Sequence, residues 1–507
     1  GAAPCAGCQR AAVGAMQAIA VVAAAVVGGA VPPPAQLPPP SVGAPGQRAA
    51  ANALVARVVG AVLAPSFTVS VVDVGNGSGW NEYGTDAATN TISLIGTSGV
   101  EVASALNGYL NDVLNVTVDW NTYGAGQLAR WEPSALPRPG SAVKKSRAVP
   151  WTYYANVCTY GYSIDFIPWS ADANDPRSQD WVRHIDWMAL NGVNLPLSFV
   201  GQEWVWTQVF ADYNLTFAEQ QTFFSGPAFL PWFRMGNIRG WGGPITMEWL
   251  QKRRDLQLQI LGRMRELGMR PVLSAFAGHV PAAMAAKHPE AEITRSPNWA
   301  NFNSDNAVTA PFADVYLVDP TDPLFAELGA AFIKKQTEIF GTDHIYNCDT
   351  YNEMAPPTRD PTYLKEASAA VYSAMSQGDS DAVWLMQGWL FISSWWDAPT
   401  TEAYLSGVAL QKMWLLDLFG DSSPVWSRTH SFYGHPFIWC TLLNFGGQQG
   451  IAGDANAITA GVAAAKGKST ISGVGITMEG IWTSYPAFEI TLQQAYTELS
   501  SPNLTMW

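Results

Sequence analysis

Hydrophobic and polar positions along the chain fall into two regimes. Over residues 48–125, Ala49 to Val59 predicts a short helix, Phe67 to Val72 and Thr91 to Gly96 predict strands, Val100 to Leu114 a helix, and Val116 to Trp120 a third strand. This reads as a small α/β domain. Gly124 to Lys145, with Pro133, Pro137 and Pro139, reads as a linker, so 126–150 is expected to join two domains. From Trp151 the pattern becomes strand, helix, strand. Apolar segments recur at Tyr153–Tyr162, Val193–Val200, Arg270–Phe276, His344–Tyr351, Ala382–Phe391, Met413–Phe419, Pro436–Phe445 and Gly473–Met478. Helices between them carry their own punctuation. One has Asp322 as N-cap, Pro323 in the first turn, a stripe through Phe325, Leu328, Phe332 and Ile339, and Gly341 as stop. Another sets Trp181, Ile185, Met188 and Ala189 on one face and ends at Asn191-Gly192. Buried strands separated by helices predict a (β/α)8 TIM-type barrel over 151–485, with a doubly wound sheet as the alternative.

The first 47 residues fit neither regime. An uncharged Ala/Val run from Ala11 to Val31 follows Arg10 and contains small residues at Gly28-Gly29-Ala30, the pattern of a secretory signal. Its length also suits a membrane anchor. Val31 to Pro45 is proline-rich and reads as a stiff linker. No later segment reads as long and apolar enough to span a bilayer. Glycosylation sequons at Asn76, Asn115, Asn214 and Asn503 fit such a lead and point to the secretory pathway, whether lysosome, vacuole or exterior.

Composition then narrows the field. An apolar content of 48% over 507 residues supplies a large core, and a net charge of −13 leaves no electrostatic footprint for nucleic acid. The 5 cysteines (Cys5, Cys8, Cys158, Cys348, Cys440) suggest no disulfide framework, and Cys5-x-x-Cys8 lacks a second pair for a metal. The outlier is the count of 22 tryptophans, which serve either as core or as platforms for sugar rings.

Motif searching is mostly exclusion. The histidines form no H-E-x-x-H, and neither a G-x-S-x-G elbow nor a Walker loop occurs, so no metal and no cofactor is expected. A barrel places its chemistry at the C-terminal ends of its strands. Those ends here are polar or aromatic: Asn156 and Tyr162, Glu203 and Trp206, His279, Asp349 with Asn352 and Glu353, Trp389, Phe445, and Glu479. Carboxylates, amides and indoles together suit a sugar. Hydrolysis of a glycosidic bond needs one protonated acid at the leaving oxygen and one ionised carboxylate near the anomeric carbon. Glu353 leaves its strand just before Pro356-Pro357, and strand alternation sets Asp349, Tyr351 and Glu353 on one inward face. A helix cap or a surface ion pair is the alternative for Glu353, and a helix-entry carboxylate the alternative for Glu479. Spacing cannot rank Glu203, Asp417 and Asp421 against them.

Longer stretches decide more. Tyr153-Tyr-Ala-Asn-Val-Cys-Thr159, Ile185-Asp-Trp-Met-Ala-Leu-Asn-Gly192, Phe223-Phe-Ser-Gly-Pro-Ala-Phe-Leu230, Ala275-Phe-Ala-Gly-His-Val-Pro281, Phe340-Gly-Thr-Asp-His-Ile-Tyr346, Trp384-Leu-Met-Gln-Gly-Trp389, Phe437-Ile-Trp-Cys440 and Asn444-Phe-Gly-Gly447 together resemble the alpha-N-acetylglucosaminidases. These are retaining glycoside hydrolases whose animal members act on heparan sulfate in lysosomes. The resemblance runs from Tyr153 to Glu479 and, more loosely, over 48–125. It implies that Glu353 is the general acid/base, that Glu479 is the nucleophile, and that the partner is a glycan ending in alpha-linked N-acetylglucosamine. It also implies a sugar pocket lined by Asn156, Cys158, Tyr162, Trp206, Asp349, Asn352, Trp389, Leu418 and Phe445. Core packing is the alternative for Cys158, Leu418, Trp206 and Trp389.

Departures from the family pattern are equally specific. Gln448-Gln449 stands where the family carries an amide and a histidine. Ser484 replaces an asparagine, and Pro486 is expected to break the helix start beyond it. Few residues follow Glu479, whereas the family continues into a long helical domain. That domain is expected to be missing, with 486–507 its remnant, and a truncated relative that binds glycans without turnover is the alternative function.

Overall fold

The computed structural model describes residues 37–72, 79–119, 126–169, 180–446 and 453–496. The apolar lead over 11–31, the sequons at Asn76 and Asn503, and Gln448-Gln449 lie outside the described residues. The small domain packs a helix, Ala44–Leu63, and a second, Gly99–Asp112, on a sheet of β1 (Phe67–Val71), β2 (Trp80–Asp86), β3 (Thr91–Gly96) and β4 (Val143–Ser146) in the order β1-β3-β2-β4. β1 runs parallel to β3, and β2 is antiparallel to both its neighbours.

Three expectations change here. β2 escapes a hydrophobic reading because its buried face is set by Asn81 and Tyr83, and Asn81 donates to buried Glu101 at 3.0 Å. β4 rises out of the segment expected to be linker. Val116 to Asp119 forms no strand; Val116 and Val118 are apolar because they are buried, and the Val116 amide turns back to the Leu110 carbonyl at 2.9 Å.

The helix Ala44–Leu63 corrects another expectation, since by length and composition it could cross a bilayer. In the fold its Ala51, Leu54, Val55 and Val58 are buried. Arg57 on the same helix pairs with Asp186 of the second domain at 2.7 Å, and Arg263 joins that carboxylate at 2.8 Å.

Downstream, β5 (Trp151–Tyr154), β6 (Leu195–Pro196) and β7 (Leu273–Ser274) begin the larger sheet. An excursion follows β7 and carries its own antiparallel sheet of β8 (His279–Val280), β9 (Ile293–Arg295) and β10 (Tyr316–Val318). β11 (Ile345–Asn347), β12 (Val383–Gln387), β13 (Met413–Asp417), β14 (Phe437–Thr441) and β15 (Ile471–Ile476) complete the larger sheet. Its 8 parallel strands run β6-β5-β15-β14-β13-β12-β11-β7. The Leu197–Val272 bridge, with the Val272 amide on the Pro196 carbonyl at 2.8 Å, joins β6 to β7 and closes a (β/α)8 barrel.

Its helices keep the punctuation read from sequence. Asp322 caps Pro323–Phe340 through the Leu324 amide at 2.8 Å, and Gly341 ends that helix at φ 70°. Pro486 behaves otherwise than expected: it occupies the first turn of a helix, Tyr485–Gln493, where a missing N–H costs nothing. That helix packs on β15 and on the helix Ala455–Lys466.

The two domains meet through a buried charge. Arg147, just after β4, pairs with Glu101 at 2.5 Å and donates to Thr152 Oγ1 at 2.7 Å and to the Gly192 carbonyl at 2.6 Å. Tyr496 adds its hydroxyl to Glu101 at 3.0 Å. Part of the tryptophan excess is interior, with Trp181, Trp187, Trp384, Trp396, Trp414 and Trp439 all fully buried.

Candidate active site

Glu353 and Glu479 come together beyond the C-terminal ends of β11 and β15. β11 stops at Asn347, so strand alternation does not carry Glu353 inward, contrary to the expectation for Asp349, Tyr351 and Glu353. Cys348 to Glu353 is a looped segment in which Tyr351 turns outward to Tyr363, 3.0 Å between hydroxyls. The Glu353 side chain is open to solvent but walled by protein. Its Oε2 accepts from Asn237 Nδ2 at 2.7 Å and from the indole N–H of Trp299, and Trp389 adds a further side-chain hydrogen bond. Burial of the surrounding wall pushes this carboxyl above its ordinary range, against the pull of those donors.

Glu479 lies on the turn after β15. Asn444 pins that turn: its Oδ1 accepts from the Gly480 amide at 2.8 Å and its Nδ2 donates to the Gly480 carbonyl at 3.0 Å. Glu479 Oε2 accepts from the Gly446 amide, and the Cys158 thiol donates to the same carboxyl. Gly446 sits at φ 51°, and a Cβ there would meet the Tyr162 hydroxyl at 2.8 Å, so glycine lets the backbone N–H approach the carboxylate. Burial pushes Glu479 up to about 7, and the charge of Glu353 adds to the rise. The two ionisations therefore belong to the pair.

The walls are aromatic. Trp389 lies 6.0 Å from Phe445 and 6.3 Å from Phe419, ring to ring, while Tyr162 stands edge-on to Trp232 at 5.6 Å. Phe445 and Tyr162 are among the few large apolar side chains left exposed, each at 39%. A polar cavity of about 30 Å³ is lined by Asp349, Asn352, Gln387, Gln202, Arg234 and Asn347.

The Alpha-N-acetylglucosaminidase (NAGLU) tim-barrel domain family matches residues 152–498, and the corresponding N-terminal domain family matches 49–138. The chain belongs to the alpha-N-acetylglucosaminidase family. It is 40% identical over 472 residues to alpha-N-acetylglucosaminidase of Homo sapiens, covering 91% of this chain and 60% of that protein. A family 89 glycoside hydrolase from Clostridium perfringens, solved with 2-acetamido-1,2-dideoxynojirmycin, superposes with a TM-score of 0.80 at 28% identity over 92% of this chain and 50% of that one. A variant from the same organism, solved with its substrate GlcNAc-alpha-1,4-galactose, gives 0.80 at 27% identity over 91% and 49%. The chain thus spans about half to three-fifths of the length of these relatives.

Within this alpha-N-acetylglucosaminidase-family barrel, the residues assigned by resemblance divide. Cys158, Tyr162, Trp389 and Phe445 gather around the two glutamates, and Asp349 and Asn352 line the small polar cavity. Asp349 accepts from the Gln387 amide at 2.9 Å, and burial pushes its carboxyl up to about 7. Asn156 serves the backbone instead, capping the helical turn after β5 through the Thr159 amide at 2.9 Å and binding the Thr477 carbonyl. Leu418 is 5% exposed in the core, where its carbonyl takes the Thr477 hydroxyl at 2.7 Å.

Trp206 is a correction. Its ring packs on Phe332 at 4.3 Å, Phe210 at 5.1 Å and Phe276 at 5.3 Å, a seam between the barrel and its outer helices rather than a pocket wall. The other acidic candidates are occupied. Glu203 pairs with Arg234 at 2.8 Å, Asp417 accepts from the Val425 and Trp426 amides, and Asp421 accepts from Leu442.

Sequence reasoning passed over Asn237, Trp299 and Trp232, which lie far from any barrel strand end; only the turn signal Gly236-Asn237 marks one of them. Among the described residues one trio, His344, Asp379 and Asp381, brings possible metal-ligand atoms within 4.8 Å. It lies at the opposite, N-terminal end of the strands, and Asp379 is already taken by Tyr346, His344 and the Asp381 amide.

Proposed function

We propose that this chain is an exo-acting, retaining glycoside hydrolase that removes terminal alpha-linked N-acetylglucosamine from glycans, with no metal or cofactor in the reaction. The observation that carries it is the Glu353–Glu479 pair, coupled through charge in a pocket walled by Trp389, Phe445 and Tyr162. Family membership supports the chemistry, and the Clostridium relative solved with GlcNAc-alpha-1,4-galactose supports the sugar.

In the first step Glu479, ionised, attacks the anomeric carbon while Glu353 gives its proton to the departing glycosidic oxygen. The Gly446 amide and the Cys158 thiol hold Glu479 in line, and burial keeps the Cys158 thiol protonated so that it donates. In the second step Glu353, now ionised, takes a proton from water, the water oxygen attacks the same carbon, and the bond to Glu479 breaks. Two inversions give net retention. Asn115 and Asn214, both exposed, support passage through the secretory pathway.

The test is release of sugar from an aryl alpha-N-acetylglucosaminide, with the first-formed anomer read by proton NMR. Alpha product is expected. Glu353→Gln should cost about 10²–10⁴-fold on an unactivated disaccharide. No turnover by the purified chain, beta product, or full activity in Glu353→Gln would overturn the reading.

A further inference from the structure

Resting on that hydrolase reading, we propose that Asn237 is the residue that aims the acid, and that the contact of Gly236 with His279 holds Asn237 in place. Asn237 Nδ2 and the Trp299 indole N–H both donate to the same oxygen of Glu353, Oε2. Neither group can accept a hydrogen, so a proton on Oε2 would face two N–H hydrogens. These two bonds fix the position of Oε2, and with it the direction in which the carboxyl presents its proton.

The two donors differ in their footing. Trp299 hangs from the surface excursion between β8 and β10, and its bond to Glu353 is open to solvent. Asn237 is only 3% exposed and sits in a turn tied down along its length. Its own amide bonds the Trp232 carbonyl at 2.8 Å and the Gly236 amide bonds Phe233 at 2.9 Å. Arg234, at the head of the turn, is locked between Glu203 at 2.8 Å and Asp165 at 3.3 Å.

Gly236 is the hinge of that turn. It lies at φ 75°, and a Cβ there would fall 1.9 Å from Nε2 of His279, so the imidazole occupies the space a side chain would need. His279 is buried and kept neutral by that burial, a stop that adds no charge beside the pair. One detail argues for function over packing. Among the described residues Asn237 Oδ1 has no hydrogen-bond partner, so the bond this side chain makes is the one its Nδ2 donates to Glu353.

The experiment compares kcat/KM, which reports the first step, on two substrates. One is 2,4-dinitrophenyl alpha-N-acetylglucosaminide, whose leaving group needs no acid; the other is GlcNAc-alpha-1,4-galactose, which does. Asn237→Ala is expected to lose about 10- to 100-fold on the disaccharide, a part of what the whole acid is worth, and less than about threefold on the aryl substrate. Asn237→Ser, too short to reach Glu353, should repeat the split. Gly236→Ala should show the same selective loss, and adding His279→Ala should return part of it. Equal losses on both substrates, or an undiminished rate on the disaccharide, would overturn the inference while leaving the hydrolase reading intact. A parent chain that turns over neither substrate would overturn both.

Discussion

Arg147→Met is the substitution whose cost can be worked most directly from the structure. Methionine keeps the apolar stem and removes the guanidinium. Arg147 and Glu101 have side chains 2% and 3% exposed, so the carboxylate left behind stays buried with, among the described residues, only Asn81 and Tyr496 to solvate it. Breaking a buried pair from one side costs about 3–5 kcal/mol, and the bonds to Thr152 and Gly192 are lost with it. A net loss of about 4 kcal/mol is a large fraction of an ordinary stability of about 5–15 kcal/mol. Thermal melting read by calorimetry should drop by several degrees, with kcat of the surviving folded protein unchanged, because Arg147 sits at the domain junction. Arg147→Met combined with Glu101→Gln should recover part of the loss by removing the stranded charge. A single variant melting within about 1 °C of the parent, or a double variant no better than the single, would refute the view that this pair clamps the domains.

Three further outcomes follow from the geometry. Trp206→Ala should destabilise by about 3–5 kcal/mol in denaturant titration with KM unchanged, since its ring packs on Phe332 and Phe210; a raised KM at unchanged stability would return it to the pocket. Glu353→Gln removes the like charge that helps to raise Glu479, so the acid limb of the pH profile on a dinitrophenyl glycoside should move to lower pH; a limb that stays or moves up contradicts the coupling. Asp349, Glu479 and Glu489, each raised to about 7, bind a proton more tightly folded than unfolded. Their stabilisation is complete below the ordinary carboxyl range and is lost as pH climbs through 7. His184 and His279, kept neutral by burial, oppose this trend only below about pH 6.5, where unfolded histidine is protonated. Melting temperature should therefore fall between pH 6.5 and 8, and a rise across that interval would refute the assignment.

What the sequence made legible was whatever rests on local rules. The barrel could be read because apolar runs and caps such as Asp322 and Gly341 repeat along it, and the two glutamates because motif context marked them. β2 could not, because Asn81 takes a buried place by bonding Glu101 rather than by being apolar. Pro486 misled because proline breaks a helix interior but opens a first turn. Trp206 misled because a tryptophan just past a strand end can turn toward the outer helices as easily as toward the mouth. Asn237 and Trp299 were out of reach altogether: their meeting with Glu353 is a matter of three loops converging from distant parts of the chain.

The barrel is also uneven around its circumference, and that unevenness maps onto the reaction. β6 and β7 have 2 residues each and β11 has 3, whereas β12, β13 and β14 have 5 and β15 has 6. Glu353, Asn237 and Trp299 all hang from the short-runged sector, while Glu479, Asn444 and Gly446 hang from the long-runged one. Amide hydrogens in the first sector should exchange with solvent sooner, since fewer ladder bonds must open together. On the proposed mechanism, proton delivery is mounted on the sector with the shorter ladders and bond-forming attack on the sector with the longer ones. On that reading, mutation in the first sector should remodel which leaving groups are tolerated while the attacking carboxylate stays where it is.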